Sequence, residues 1–191
     1  MATNNRYVVP YRRKREGRTD YHKRLKMLSG HATRLVIRKS LHNMRLQLID
    51  YEPQGDKVLL SASTLELRKL GYKGGTGNLP AAYLCGVLLG TKAKKKGIAR
   101  AVPDIGITTP VAGAVVFAAI AGCREAGLDV PADEKALPSK DRLIGKHIAA
   151  YAQLLRKDEA AYKKAFAHYL KDGLEPDRLP EHVQETRKRI A

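Results

Sequence analysis

Cysteine is scarce in this sequence: Cys85 and Cys123 are the only two among 191 residues, and they form no CxxC pair. Two thiols cannot build the disulfide framework of a small secreted scaffold, and free cysteines behave as small buried hydrophobes. Long apolar runs are missing as well. The longest extends from Val111 to Cys123, short of the roughly 18 residues that a membrane span requires. Met1 to Arg15 holds no apolar stretch of the kind that forms a secretory signal. Acidic residues are outnumbered, 19 against 36 lysines and arginines, which leaves a formal net charge of +17. These shortages predict a soluble, reduced, intracellular protein whose partner is a polyanion: RNA, DNA or an acidic membrane surface.

Catalytic motifs are missing too. The six histidines, His22, His31, His42, His147, His168 and His182, contain no HxxxH or HExxH spacing, so metal ligation has no local basis. There is no GxSxG, and Asp104 and Asp141 are scattered carboxylates that identify no acid/base couple. The glycines Gly71, Gly74, Gly75 and Gly77 fail both nucleotide fingerprints. Asn78 follows Gly77 where a P-loop has Lys, and Pro80 takes the third glycine position of GxGxxG. The sequence therefore predicts no enzyme, no cofactor and no small-molecule substrate. Two readings of the glycine loop stay open: backbone N–H groups approaching an RNA phosphate beside Lys73, or a turn that requires positive φ.

What is present is charge at one end. Residues 1–50 carry a net +10, residues 51–100 a net +6, and residues 101–191 a net +1. The densest stretch runs from Arg6 to Lys26, with Arg12, Arg13, Lys14, Arg15, Arg18, Lys23 and Arg24 interleaved with Tyr7, Tyr11 and Tyr21. Cations suit phosphates, and tyrosines stack on unpaired bases or pack on sugars. Residues 10–18 offer almost nothing to bury, so this arm is expected to be mobile alone and to order on its partner.

The 43% apolar content supplies a core for a chain of one domain with appendages. Thr33–Lys39 and Met44–Asp50 alternate with period two, and Lys57–Ala62 is a third apolar run. Short turn-rich linkers join them, so an antiparallel meander follows, with Arg34, Arg38 and Arg45 on its polar face. That face suits nucleic acid or plain solvation equally well. Ser63-Thr64-Leu65-Glu66 reads as a capping box. Leu79–Lys96 reads as a helix whose crossover feeds a short strand within Arg100–Ile107. Its basic last turn suits the helix dipole, but Lys92, Lys94, Lys95 and Lys96 exceed that need, which makes Lys94 and Lys95 a second candidate contact. Helices are expected over Val111–Ala126, from Ser139 through Leu155, over Asp158–Lys171 and over Pro180–Ile190.

Together these segments resemble a known family. Tyr11 to Tyr21 (YRRKREGRTDY), continuing through Arg24-Leu25, is similar to the basic signature of the L-eighteen family of universal large-subunit ribosomal proteins, in its archaeal form. RLVIRKS (34–40), TGNLPAAY (76–83), Asp104-Ile105-Gly106, Ala126-Gly127-Leu128 with Pro131, and His147-Ile148-Ala149 with Tyr151 continue the match in order. Leu41, after RKS, and Lys146, before the His, depart from the family's pattern.

The resemblance implies an α/β fold: a three-strand antiparallel meander plus a crossover strand, with helices packed on the sheet. It implies a basic arm (1–30), an α/β core (31–130) and a helical C-terminal extension (131–191). It further implies binding of 5S rRNA and its attachment to 23S rRNA in the central protuberance, beside the other 5S-binding ribosomal protein. Tyr11, Arg12, Arg13, Lys14, Arg15, Arg18, Thr19 and Tyr21 would form the arm contact, with Arg34, Arg38 and Lys39 from the sheet or hairpin. The alternative is a non-ribosomal basic protein that binds DNA or an acidic partner.

Overall fold

The computed structural model describes residues 6–190; positions 1–5 of the expected arm, and residue 191, lie outside the described residues. Three strands, β1 (Arg34–Lys39), β2 (Met44–Asp50) and β3 (Lys57–Ser63), pair antiparallel as the alternation predicts. A three-residue strand, β4 (Val102–Asp104), joins β1 in parallel, giving the order β3-β2-β1-β4. Leu35, Ile37, Leu46 and Leu48 point to one side and are buried at 0–1% exposure, where they form the floor of the core.

The capping box forms, since Ser63 N–H donates to Glu66 Oε1 at 3.0 Å and Leu65 N–H to Ser63 Oγ at 3.3 Å, ahead of α3 (Glu66–Lys69). Asn78 then caps α4 (Leu79–Lys95) by accepting from Ala81 N–H. Helix α4 lies on the inner face of the sheet and is buried on nearly every side, Ala81 to Val87 without a break. Helix α5 (Val115–Glu125) packs chiefly on α4. Gly86 and Gly122 permit that approach: a Cβ on Gly86 would collide with the Ala119 carbonyl, and one on Gly122 with the Tyr83 carbonyl. Cys85 and Cys123 are both free and fully buried in this seam, and burial pushes both thiols up.

Three helix boundaries differ from expectation. Helix α5 starts at Val115 instead of Val111, because Gly113 takes φ +71, outside the helical region, and donates to the Ala136 carbonyl at 2.8 Å. The helix expected from Ser139 to Leu155 is two, α6 (Lys140–Leu143) and α7 (Lys146–Leu155), broken at Gly145 with φ +88. Asp158–Lys171 is likewise two, α8 (Glu159–Ala165) and α9 (Ala167–Lys171), interrupted at Phe166. Helix α10 (Leu179–Ile190) returns to the main core, where Leu179, Val183 and Ile190 are buried with α4.

Candidate nucleic-acid interface

The arm carries two helical segments. Arg12–Arg15 forms one turn (α1), and Asp20 then caps an eight-residue helix, α2 (Tyr21–Leu28), by accepting from the N–H groups of His22 and Lys23 at 3.0 and 3.1 Å. Those N–H bonds, foremost that of Lys23, hold the Asp20 carboxyl below its usual range. Tyr21, Arg24, Met27 and Leu28 are half-buried, the i, i+3, i+4 spacing of a docked helix face. Helix α2 lies beyond residues 10–18, the stretch expected to be mobile, and was not itself expected. The missed signal was Asp20 standing before a helix-favouring run.

Helix α2 lies over the outer face of the sheet and is pinned there by charge. Arg24 Nη2 donates to both Asp56 oxygens at 2.8 and 2.9 Å. Arg34 reaches Asp56 at 2.8 Å and Asp104 at 3.2 Å. Burial alone would push the Asp56 carboxyl up, but hydrogen bonds from Arg34 and Arg24 outweigh it and hold the group below its usual range. Asp104 also accepts from Gly106 N–H at 2.8 Å, while Arg38 donates to its backbone carbonyl at 3.2 Å. Arg34 is only 1% exposed. Period two places Arg34 on the outer face, and it is there, but the expectation that it faces solvent is corrected: the guanidinium is spent on two carboxylates. Asp56 and Asp104 were not recognisable as its partners, because 22 and 70 positions of chain separate them from it.

The other expected contact residues fall into three places. Arg13, Arg18, Thr19, Tyr21, Lys23 and Arg24 share one groove with Arg38, between the arm and the sheet. Arg13 Nε donates to Thr19 Oγ1 at 2.9 Å, and Arg12 and Arg18 flank Glu16 at 3.6 and 3.2 Å. Tyr11 and Tyr21 set their rings 5.1 Å apart, and Tyr7 and Tyr11 are exposed. Lys14 and Arg15 have no carboxylate partner among the described residues, and Lys23 stands exposed on α2. At the hairpin end of the sheet, Arg38 and Arg45 are directly opposed across β1 and β2, with Lys39 beside them and all three exposed. Like charges facing each other are unfavourable unless an anion lies between them.

The third place is away from the arm. The glycine loop is packed down: Thr76 Oγ1 donates to the His42 carbonyl at 2.8 Å, Asn78 Nδ2 to Tyr169 Oη at 2.9 Å, and Lys73 N–H to His182 Nε2 at 3.0 Å. The Lys73 side chain is exposed at its edge. Of the lysine cluster, Lys92 binds Glu66 at 2.7 Å and Lys96 donates to the Leu59 carbonyl at 3.0 Å, so both tie α4 to the strand edge. Lys94 and Lys95 remain exposed. Among the described residues there is no group of His, Cys, Asp and Glu that would hold a metal ion, and no helix is long and apolar enough to cross a membrane.

A surface of this kind can grip phosphates and stack bases. The family model for ribosomal large subunit proteins 60S L5 and 50S L18 matches residues 5–100. The large ribosomal subunit protein uL18 of Methanococcus maripaludis is 49% identical over 190 residues, covering 100% of this chain and 98% of that one.

Proposed function

This chain belongs to the family of large-subunit ribosomal proteins 60S L5 and 50S L18, and from that membership we propose that it binds 5S rRNA and helps attach it to 23S rRNA in the central protuberance. It is a structural constituent of the large ribosomal subunit and not an enzyme; the alternative of a non-ribosomal basic protein is set aside. The arm and the outer face of the sheet make the 5S contact. The near-neutral extension, residues 131–191, faces neighbouring ribosomal proteins, the other 5S-binding protein among them, or 23S rRNA.

One observation carries this reading. The cations of the arm outnumber its acidic groups: Arg12 and Arg18 share Glu16, Lys14 and Arg15 on the exposed turn α1 have no carboxylate partner among the described residues, and Lys23 stands exposed on the docked helix α2. The A-form major groove is too deep and narrow for side chains, so such cations serve phosphates and exposed loops. Arginine suits the task because its planar guanidinium bridges phosphate oxygens and stacks. Binding releases condensed counterions and is therefore salt-dependent.

The test is filter binding of a 5S rRNA transcript to the full chain and to a chain lacking residues 1–18. That cut spares α2 and the Arg24–Asp56 pair, whereas removal of residues 1–26 would strip the cover from the sheet. Loss of most of the affinity with an unchanged melting midpoint supports the reading; unchanged affinity overturns it.

A further inference from the structure

The groove between α2 and the outer sheet face encloses about 540 Å³, within the roughly 300–1,000 Å³ typical of sites for small organic ligands. Phosphate contacts alone need no such recess, because phosphates lie on the outside of a nucleic acid. The floor is apolar: Val36 and Ile49 from the sheet and Met27 from the arm helix. Beside Val36, its cross-strand partner Gln47 presents a half-exposed amide with no hydrogen-bond partner among the described residues. The wall carries Arg38, whose guanidinium sits against Gly106, where even a Cβ would lie 3.0 Å from its nitrogen. Arg13 and Arg18 belong to the same lining from the arm side. Of the three carboxylates in its lining, Asp56 and Asp104 are neutralised by Arg24 and Arg34, and Asp20 is engaged by the N–H groups of His22 and Lys23, against the cations Arg13, Arg18, Lys23 and Arg38. The free charge of the groove is thus positive.

An apolar floor, an amide with both donors and acceptor unused, a planar cation and arginines around the opening fit one ligand class. We propose that this groove receives a single unstacked nucleotide of RNA, its base on Val36, Ile49 and Met27. The base edge hydrogen-bonds to Gln47, Arg38 stacks on or flanks the ring, and Arg13 and Arg18 take the flanking phosphates. Sequence-specific RNA recognition uses such splayed-out bases, and a paired duplex cannot supply one. The proposal deepens the 5S rRNA reading and rests on it. It assigns the recognition of an unpaired residue to the sheet face and leaves general electrostatic attraction to the arm.

Two uncharged substitutions in the full chain test it. Gln47→Leu removes the amide at nearly constant volume, and Met27→Trp, at a half-buried arm position, fills the groove. Each is expected to lower affinity for a 5S rRNA transcript about tenfold, in keeping with one lost base contact. Affinity for a fully paired RNA duplex and the log–log salt slope should stay unchanged. Affinity for 5S rRNA equal to that of the parent in both variants overturns the groove and leaves 5S binding intact. A parent chain that holds 5S rRNA no tighter than the duplex overturns the broader reading instead. A titration of the isotope-labelled chain with a short single-stranded oligoribonucleotide separates the two independently of folding in the variants. Amide shifts at Val36, Gln47 and Ile49 support the groove, and shifts confined to residues 11–18 contradict it.

Discussion

Arg24 of the arm and Asp56 of the β2–β3 turn meet through one guanidinium nitrogen placed 2.8 and 2.9 Å from the two carboxylate oxygens. The pair joins the basic leader to the folded body, and Arg34 continues it inward from Asp56 to Asp104. Helix α2 is therefore held on the body by this pair, and on the proposed reading that lowers the ordering cost of binding RNA.

Truncating Arg34 should be severe. Arg34→Met leaves Asp104, nearly as buried as the arginine, without its main partner. Breaking a buried pair from one side costs about 3–5 kcal/mol. The expected result is a large fall in the urea midpoint, with Arg38→Met causing a smaller one because that side chain is half-exposed.

The α4–α5 seam should reject a single methyl group. Gly86→Ala drives a Cβ into the Ala119 carbonyl, backbone against backbone, with no flexible side chain to yield. Overpacking of this kind costs about 1–3 kcal/mol or more. Gly97→Ala meets nothing within 4 Å but sits at φ +73, so it isolates backbone strain from packing. Melting midpoints should fall further for Gly86→Ala than for Gly97→Ala.

Acid should loosen the attachment of α10 first. His182 Nε2 accepts from Lys73 N–H, a role that requires the neutral imidazole, and its ring stacks on Tyr72 at 5.6 Å. Burial pushes this group below its ordinary value of 6.5, Glu185 opposes the shift, and Arg189 and Lys73 add to it. The unfolded chain then binds the proton that the folded chain resists, so stability is full above pH 6.5 and declines as pH falls through that value. His147, lowered by burial and by Arg142, acts with the same sign. A pH series of denaturation midpoints should show this decline, and His182→Gln should flatten part of it.

The meander was legible because Leu35, Ile37, Leu46 and Leu48 alternate with mostly polar neighbours, and α4 because apolar residues at helical spacing run between Pro80 and Gly97. The arm's cations stand out in the sequence by density alone, and they are the site that the proposed function rests on. Its helix was overlooked because Arg and Lys dominate a segment whose inward face is only Tyr21, Arg24, Met27 and Leu28. The partners of Arg34 were invisible for a different reason. A buried ion pair is fixed by tertiary contact, and no local pattern separates a solvated strand arginine from one covered by a helix folded back from upstream. The breaks at Gly113 and Gly145 depend on positive φ, which a glycine permits but does not announce.

Salt dependence should count the arm's phosphate contacts. Lys14→Ala and Arg15→Ala each remove a cation without a carboxylate partner, so each should flatten the log–log salt slope of 5S rRNA binding by about 0.7–0.9. Lys92→Ala, whose ammonium is engaged by Glu66, should leave the slope alone.

The most direct measurement is the affinity of the full chain for a 5S rRNA transcript at physiological salt, with Arg12, Arg13, Lys14 and Arg15 together replaced by alanine. All four are exposed and none contributes to the core, so the fold should survive, as judged by an unchanged melting midpoint. The account predicts that affinity drops on the order of a hundredfold as several phosphate contacts are lost. Undiminished binding of 5S rRNA by this variant would contradict it.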